Sequence, residues 1–231
     1  MPIYNKLFVA NWKENKTFAQ GAADFTNFLT GIRTLPLANK EVVFCPPYPF
    51  LPLFKQEVGH QGLGDVIKIG SQDVSRFEQG AYTGEVSAKL LADLVTYTII
   101  GHSERRKFFG EEPAAVNEKI ALCQKYGITP IVCVSRKDEV ARLVFDHSQT
   151  IFLAFEPLGA IGSKHPESLP TVTDFFNEIQ SQVGTNVGFL YGGSVDEEDA
   201  SSFTGSPLIN GLLIGGASLG VQSFINIIQK S

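Results

Sequence analysis

At 231 residues, with 43% hydrophobic and 19% charged side chains, the chain has the make-up of an ordinary globular protein and sits near the lower end of what an eight-stranded α/β barrel requires. A formal net charge of −5 without any long run of Lys or Arg excludes the electrostatic footprint of a nucleic-acid or anionic-membrane binder. Cys45, Cys123 and Cys133 form no C-x-x-C pair, which disfavours disulfides and structural zinc, and the absence of a secretory h-region or a long apolar run predicts a cytoplasmic protein.

Short apolar runs alternate with helical patterns along the whole chain. The first run is Leu7–Asn11, followed by a capping box at Thr17 and Gln20 that opens a helix with Phe18, Ala22, Phe25, Leu29 and Ile32 on one stripe. Runs at Val42–Cys45, Val66–Ser71 and Tyr97–His102 follow. A helix then begins at Pro113, buries Val116, Ile120 and Cys123, and stops at Gly127. Further runs at Pro130–Val134, Ile151–Glu156, Val187–Tyr191 and Gly211–Ile214 precede a last helix from Val221 through Phe224, Ile225 and Ile228. Each run is nearly continuously apolar, as strands covered on both faces of a parallel sheet must be. About 29 residues per strand–helix unit fits a compact βαβ repeat. The prediction is a single α/β domain over residues 1–231, a (β/α)8 barrel of eight parallel strands surrounded by helices. An open doubly wound sheet is the rival, but no G-x-G-x-x-G follows the first strand.

In such a barrel the reactive groups lie at the carboxyl ends of the strands, so polar residues there are the candidates for chemistry. Asn11 and Lys13 follow the first strand, His102 and Glu104 the fourth, and Glu156 the sixth. Burial against Ile151 to Phe155 should raise the Glu156 pKa toward that of a useful base. A helix start at Ser103 should favour a neutral His102 that still donates a hydrogen bond. Tyr191-Gly192-Gly193-Ser194 and Gly215-Gly216-Ala217-Ser218 are each expected to expose backbone N–H groups at a helix start, an arrangement that binds phosphate. Taken singly, each residue has a bland reading as a surface lysine, a satisfied histidine or a loop glutamate.

Together the segments Ala10-Asn11-Trp12-Lys13, Gly101-His102-Ser103-Glu104-Arg105-Arg106, Ala154-Phe155-Glu156-Pro157, Ala160-Ile161-Gly162 and the two glycine turns resemble, in order, those of the triosephosphate isomerase family. The resemblance implies an isomerase that interconverts dihydroxyacetone phosphate and glyceraldehyde 3-phosphate, a step of glycolysis and gluconeogenesis, without metal or organic cofactor. Glu156 would be the general base, His102 the electrophile and Lys13 the fixed positive charge. Asn11 would support the enediolate, and Glu104 would hold the neighbouring polar side chains. The N–H groups of Gly162, Ser194, Gly215 and Gly216 would grip the phosphate, and Cys133 would be a packing residue. A loop over Gln72–Glu85 resembles the family's dimer arm, implying a homodimer in which Thr83 of one copy buttresses Asn11 and Lys13 of the other.

Two departures from the family pattern stand out. Gly159 replaces an aromatic residue in the first lid hinge, and a glycine of the second hinge is lost at Ser163-Lys164-His165. Only 22 residues separate Cys133 from Glu156, room for one short helix, with Ser135-Arg136 where the family favours Gly-Glu. Alternatives are an epimerase or aldol-type lyase, which needs metal ligands or a Schiff-base lysine, and a catalytically silent binding barrel.

Overall fold

The computed structural model describes residues 6–157, 159 and 165–231. Its strands are β1 (Lys6–Asn11), β2 (Lys40–Cys45), β3 (Ile67–Ser71), β4 (Tyr97–Ile100), β5 (Thr129–Val134), β6 (Ile151–Phe155), β7 (Val187–Tyr191) and β8 (Gly211–Ile214). The helices are α1 (Phe18–Ile32), α2 (Leu51–His60), α3 (Ala88–Leu91), α4 (Ser103–Phe109), α5 (Pro113–Lys125), α6 (Lys137–Val140), α7 (Leu169–Val183), α8 (Ala200–Thr204) and α9 (Val221–Lys230). All strand pairs are parallel, in sequence order, and β1 returns to β8 in register Leu7 to Gly211, closing the barrel. None of the helices among the described residues is long and apolar enough to cross a membrane.

Strand periodicity sorts the apolar residues into two cores. Leu7, Val9, Val43, Ile99, Ile131, Cys133, Phe152, Ala154, Leu190 and Leu213 fill the lumen. Phe8, Ala10, Val42, Phe44, Val132, Leu153, Phe189 and Leu212 face the helices. This two-sided burial is why the strands read as unbroken apolar runs. The lumen-facing parity continues one step past the last apolar residue: after Leu7 and Val9 comes Asn11, and after Phe152 and Ala154 comes Glu156.

The strands agree with the sequence expectation to within two residues. The fourth stops at Ile100, short of His102, because Gly101 takes φ 69° and turns the chain, leaving His102 as the N-cap of α4. The Thr17–Gln20 capping box forms, but α1 buries Gly21, Phe25, Phe28, Leu29 and Ile32, whereas Phe18 is exposed and stacks on Phe50. Gly21 approaches Phe50 so closely that a Cβ would lie 2.4 Å from the ring, which rotates the contact face away from Phe18 and Ala22. The shortened unit after Cys133 holds the four-residue α6 and then a loop pinned by Gln124, which accepts from the Asp146 N–H and donates to its carbonyl.

Candidate active site

Asn11, Lys13, His102, Glu156, Gly192–Ser194 and Gly215–Ala217 line one cavity of 380 Å³ at the carboxyl mouth of the barrel. Residues from the two ends and the middle of the chain meet here because each terminates a strand of the same closed sheet.

Lys13 is held by geometry on every side. Its backbone is left-handed, φ 52°, with its N–H donating to Asn11 Oδ1 at 3.1 Å and its carbonyl accepting from Gln72 Nε2 at 2.9 Å. Its Nζ meets Glu104 Oε1 at 2.6 Å. Trp12, buried between Phe44, Phe50 and Phe54, donates its indole N–H to the Ser218 carbonyl, locking the end of β1 to the turn after β8. Both Gln72 and Trp12 therefore fix the lysine's position; Gln72 stands just after the third strand, where polarity after an apolar run is the signal that marks it.

His102 Nδ1 accepts from the Glu104 N–H at 3.2 Å, which leaves Nε2 as the ring nitrogen that donates into the cavity. Nε2 donates to Glu156 Oε1 at 2.9 Å, and Oε2 accepts from the Ser103 N–H at 2.9 Å. Glu156 is 1% exposed. Burial alone pushes its carboxyl up, as the sequence predicts, but the hydrogen bond and electrostatic attraction of His102, the Ser103 N–H and the charge of Arg106 outweigh burial and hold it below its ordinary value. The expectation of a raised pKa thus fails for this conformation, because the carboxylate rests on donors that a view of its own strand does not reveal.

Cys133 lies behind this pair, buried, and desolvation together with the Glu156 charge pushes its thiol well above the usual range. It stays a neutral packing group. Arg106 donates to the Cys133 carbonyl and to Ser135 Oγ, each at 2.9 Å, and lies 3.4 Å from Glu139, so α4 is tied to the end of β5.

The glycine turns form the other wall. A Cβ on Gly193 would lie 2.2 Å from Tyr191 Oη, which accepts from the Glu167 N–H, and one on Gly192 would meet Glu156 Cγ at 3.2 Å. Gly216 opens a 3-10 turn over Gly216–Leu219, with Gly215 approached by the Lys13 side chain. The turn after β7 differs from expectation: α8 begins only at Ala200, so Ser194 lies on an open loop rather than at a helix start. Gly162 falls outside the described residues, as do Ala160, Ile161, Ser163 and Lys164. Thr83 does not line the cavity and is exposed. Among the described residues no cluster of three or more His, Cys, Asp or Glu side chains is placed to hold a metal ion.

A carboxylate, an imidazole and an ammonium around a glycine-lined cavity define a (β/α)8-barrel protein equipped for proton transfer on a small phosphorylated substrate. The family model described as triosephosphate isomerase matches residues 6–231. The chain is 36% identical over 256 aligned positions to the triosephosphate isomerases of Shewanella loihica and Shewanella frigidimarina, covering 98% of this chain and 97% of each relative. It is likewise 36% identical to that of Shewanella denitrificans. The chain belongs to the triosephosphate isomerase family.

Proposed function

We propose that this chain interconverts dihydroxyacetone phosphate and D-glyceraldehyde 3-phosphate by proton transfer through an enediolate. The observation that carries the reading is the convergence of Lys13, His102 and Glu156 on one cavity beside Gly215 and Gly216.

Glu156 takes the proton from the carbon beside the carbonyl and returns it to the neighbouring carbon. To do so it leaves His102 and Ser103, and this frees Nε2–H to polarise the carbonyl and move protons between the two oxygens. Lys13, anchored by Glu104, supplies positive charge where the enediolate develops, and Asn11 supports the same oxygens. The backbone N–H groups of Ser194, Gly215 and Gly216, with Gly162 from the lid, hold the phosphate. The phosphate does not react, so its binding free energy is available to align the reacting carbons.

A coupled assay of the purified protein with glyceraldehyde 3-phosphate, run without added metal and again with a chelator, tests the reading. Turnover unaffected by chelator and by borohydride is expected. Loss of activity on chelation, or trapping of a Schiff base, sets the reading aside in favour of an epimerase or aldolase chemistry.

The protein acts as a homodimer through the arm over Gln72–Glu85. Phe77 and Tyr82 stack at 3.9 Å near the tip of this arm while remaining partly exposed, a rigid apolar knob for a second copy. Sedimentation velocity should give a dimer, with Thr83→Arg shifting it toward monomer and lowering activity; a monomer at assay concentration removes this part. The three cysteines are free and buried, as suits a reducing cytoplasm.

A further inference from the structure

The geometry points to a second ligand site, for a small amphipathic organic anion, in a 490 Å³ cavity on the far side of the wall that holds Glu156. The cavity is larger than the candidate active site and falls in the size range of small-molecule pockets. It lies where the chain is shortened: α6 and the residues after it form the roof, α4 and α5 the sides, and the end of β5 the floor.

Its chemistry is two-sided. Pro113, Val116 and Leu143 give it an apolar lining, and four cationic residues, Arg106, Lys107, Arg136 and Arg142, also line it. Against these stand Glu139 on the wall and Asp138 beside it. Asp138 pairs with Arg136 at 2.8 Å and with Arg142 at 3.3 Å, so two positive charges remain in surplus. Lys107 forms no ion pair among the described residues and only overlies the Phe108 ring. A ligand with an aromatic or branched apolar body and one carboxylate or sulfonate head satisfies both halves.

Two wall residues connect this cavity to the reaction. Ser103, whose N–H holds Glu156, and Cys133, which backs the same carboxylate, line it from the other side. Arg106 lies one helical turn after Ser103 and ties α4 to the Cys133 carbonyl. An anion pairing with Arg106 draws on the guanidinium that fixes the start of α4, and with it the alignment of His102 and Ser103. Occupancy therefore lowers turnover without touching the phosphate pocket. The binding half of this inference is independent of the isomerase assignment, and the coupling half rests on it.

The probe is 8-anilinonaphthalene-1-sulfonate, followed by fluorescence with the full chain. Saturable binding at one site per chain is expected, unaffected by inorganic phosphate. It should be weakened at least about tenfold, roughly 1.4 kcal/mol, by Arg136→Ser with Arg142→Ser and by the cavity-filling Leu143→Trp. Both variants should retain the wild-type melting temperature and basal activity. In the assay the probe should lower kcat on the order of fivefold with KM unchanged. Binding that survives in both variants, that phosphate displaces, or that never saturates overturns the site. Binding there with unchanged kcat overturns the coupling.

Discussion

His102 Nε2 and Glu156 Oε1 lie 2.9 Å apart and are bonded to each other, so the electrophile and the base of the proposed reaction satisfy one another until a substrate separates them. The pair is buried, and each partner's second contact comes from the first turn of α4: the Glu104 N–H on His102 and the Ser103 N–H on Glu156. One helix start thereby sets the orientation of the imidazole and the resting position of the carboxylate.

Glu156→Gln keeps the shape of the side chain and removes its basicity. Turnover is expected to fall by about 10²–10⁴-fold. Glu156→Asp withdraws the carboxylate by about 1 Å and is expected to cost on the order of 10²-fold. Wild-type rates in both variants, measured in the coupled assay, would assign the base elsewhere.

The pH dependence follows from the sign of the Glu156 shift. Burial raises its pKa, but the His102 and Ser103 hydrogen bonds bring the folded value below the ordinary 4.5. The unfolded chain then binds the proton more tightly, so the carboxylate's stabilising contribution is present above the ordinary value and lost as pH falls through the folded one. Urea midpoints across this acidic range should fall more steeply for the wild type than for Glu156→Gln. The acid limb of kcat/KM for the free enzyme should likewise lie below the usual glutamate range, and a limb near neutrality contradicts the resting geometry described.

Lys13→Met removes the ammonium while keeping most of the apolar stem. Loss of preorganised charge at a developing oxyanion predicts a fall in kcat/KM on the order of 10²–10³-fold, with weaker inhibition by inorganic phosphate because Nζ stands 3.7 Å from the Cβ position of Gly215. Unaltered phosphate inhibition would place the ammonium outside the anion pocket.

Gly211 closes the barrel against β1. A Cβ there would fall 1.9 Å from the Leu7 carbonyl oxygen, a backbone atom that cannot rotate away. Gly211→Ala is expected to destabilise by at least about 3 kcal/mol, whereas Gly64→Ala, whose Cβ would meet no atom of the described residues within 4 Å beyond its chain neighbours, should stay within about 0.5 kcal/mol. Urea unfolding of the two variants compares them directly, and equal midpoints would refute the tight closure.

Gly159 is exposed, and among the described residues a side chain there meets nothing within 4 Å. By the family resemblance Gly159 falls in the first hinge of a lid, and a glycine there leaves the backbone freer than an aromatic residue does, so some enediolate should lose phosphate to give methylglyoxal. Gly159→Trp is expected to reduce methylglyoxal per turnover; an equal yield from both proteins counts against a loose lid.

The amino-acid sequence determined the barrel and the identity of the candidate site residues. Eight doubly covered strands must be apolar on both faces, and that burial writes itself as unbroken runs whose first polar successors, Asn11 and Glu156, mark the mouth. Local signals also placed the Thr17 cap and the helix from Pro113, because capping chemistry is confined to neighbours in the chain. Only the tertiary structure decided the direction of the Glu156 shift, the roles of Gln72, Trp12 and Arg106, and the rotation of α1 onto Gly21 and Phe28. Each of these depends on a partner tens of residues away: Ser103 on Glu156, Ser218 on Trp12, Phe50 on Gly21. Electrostatic and packing free energies are set by distances through space, which the order of residues along one strand does not contain.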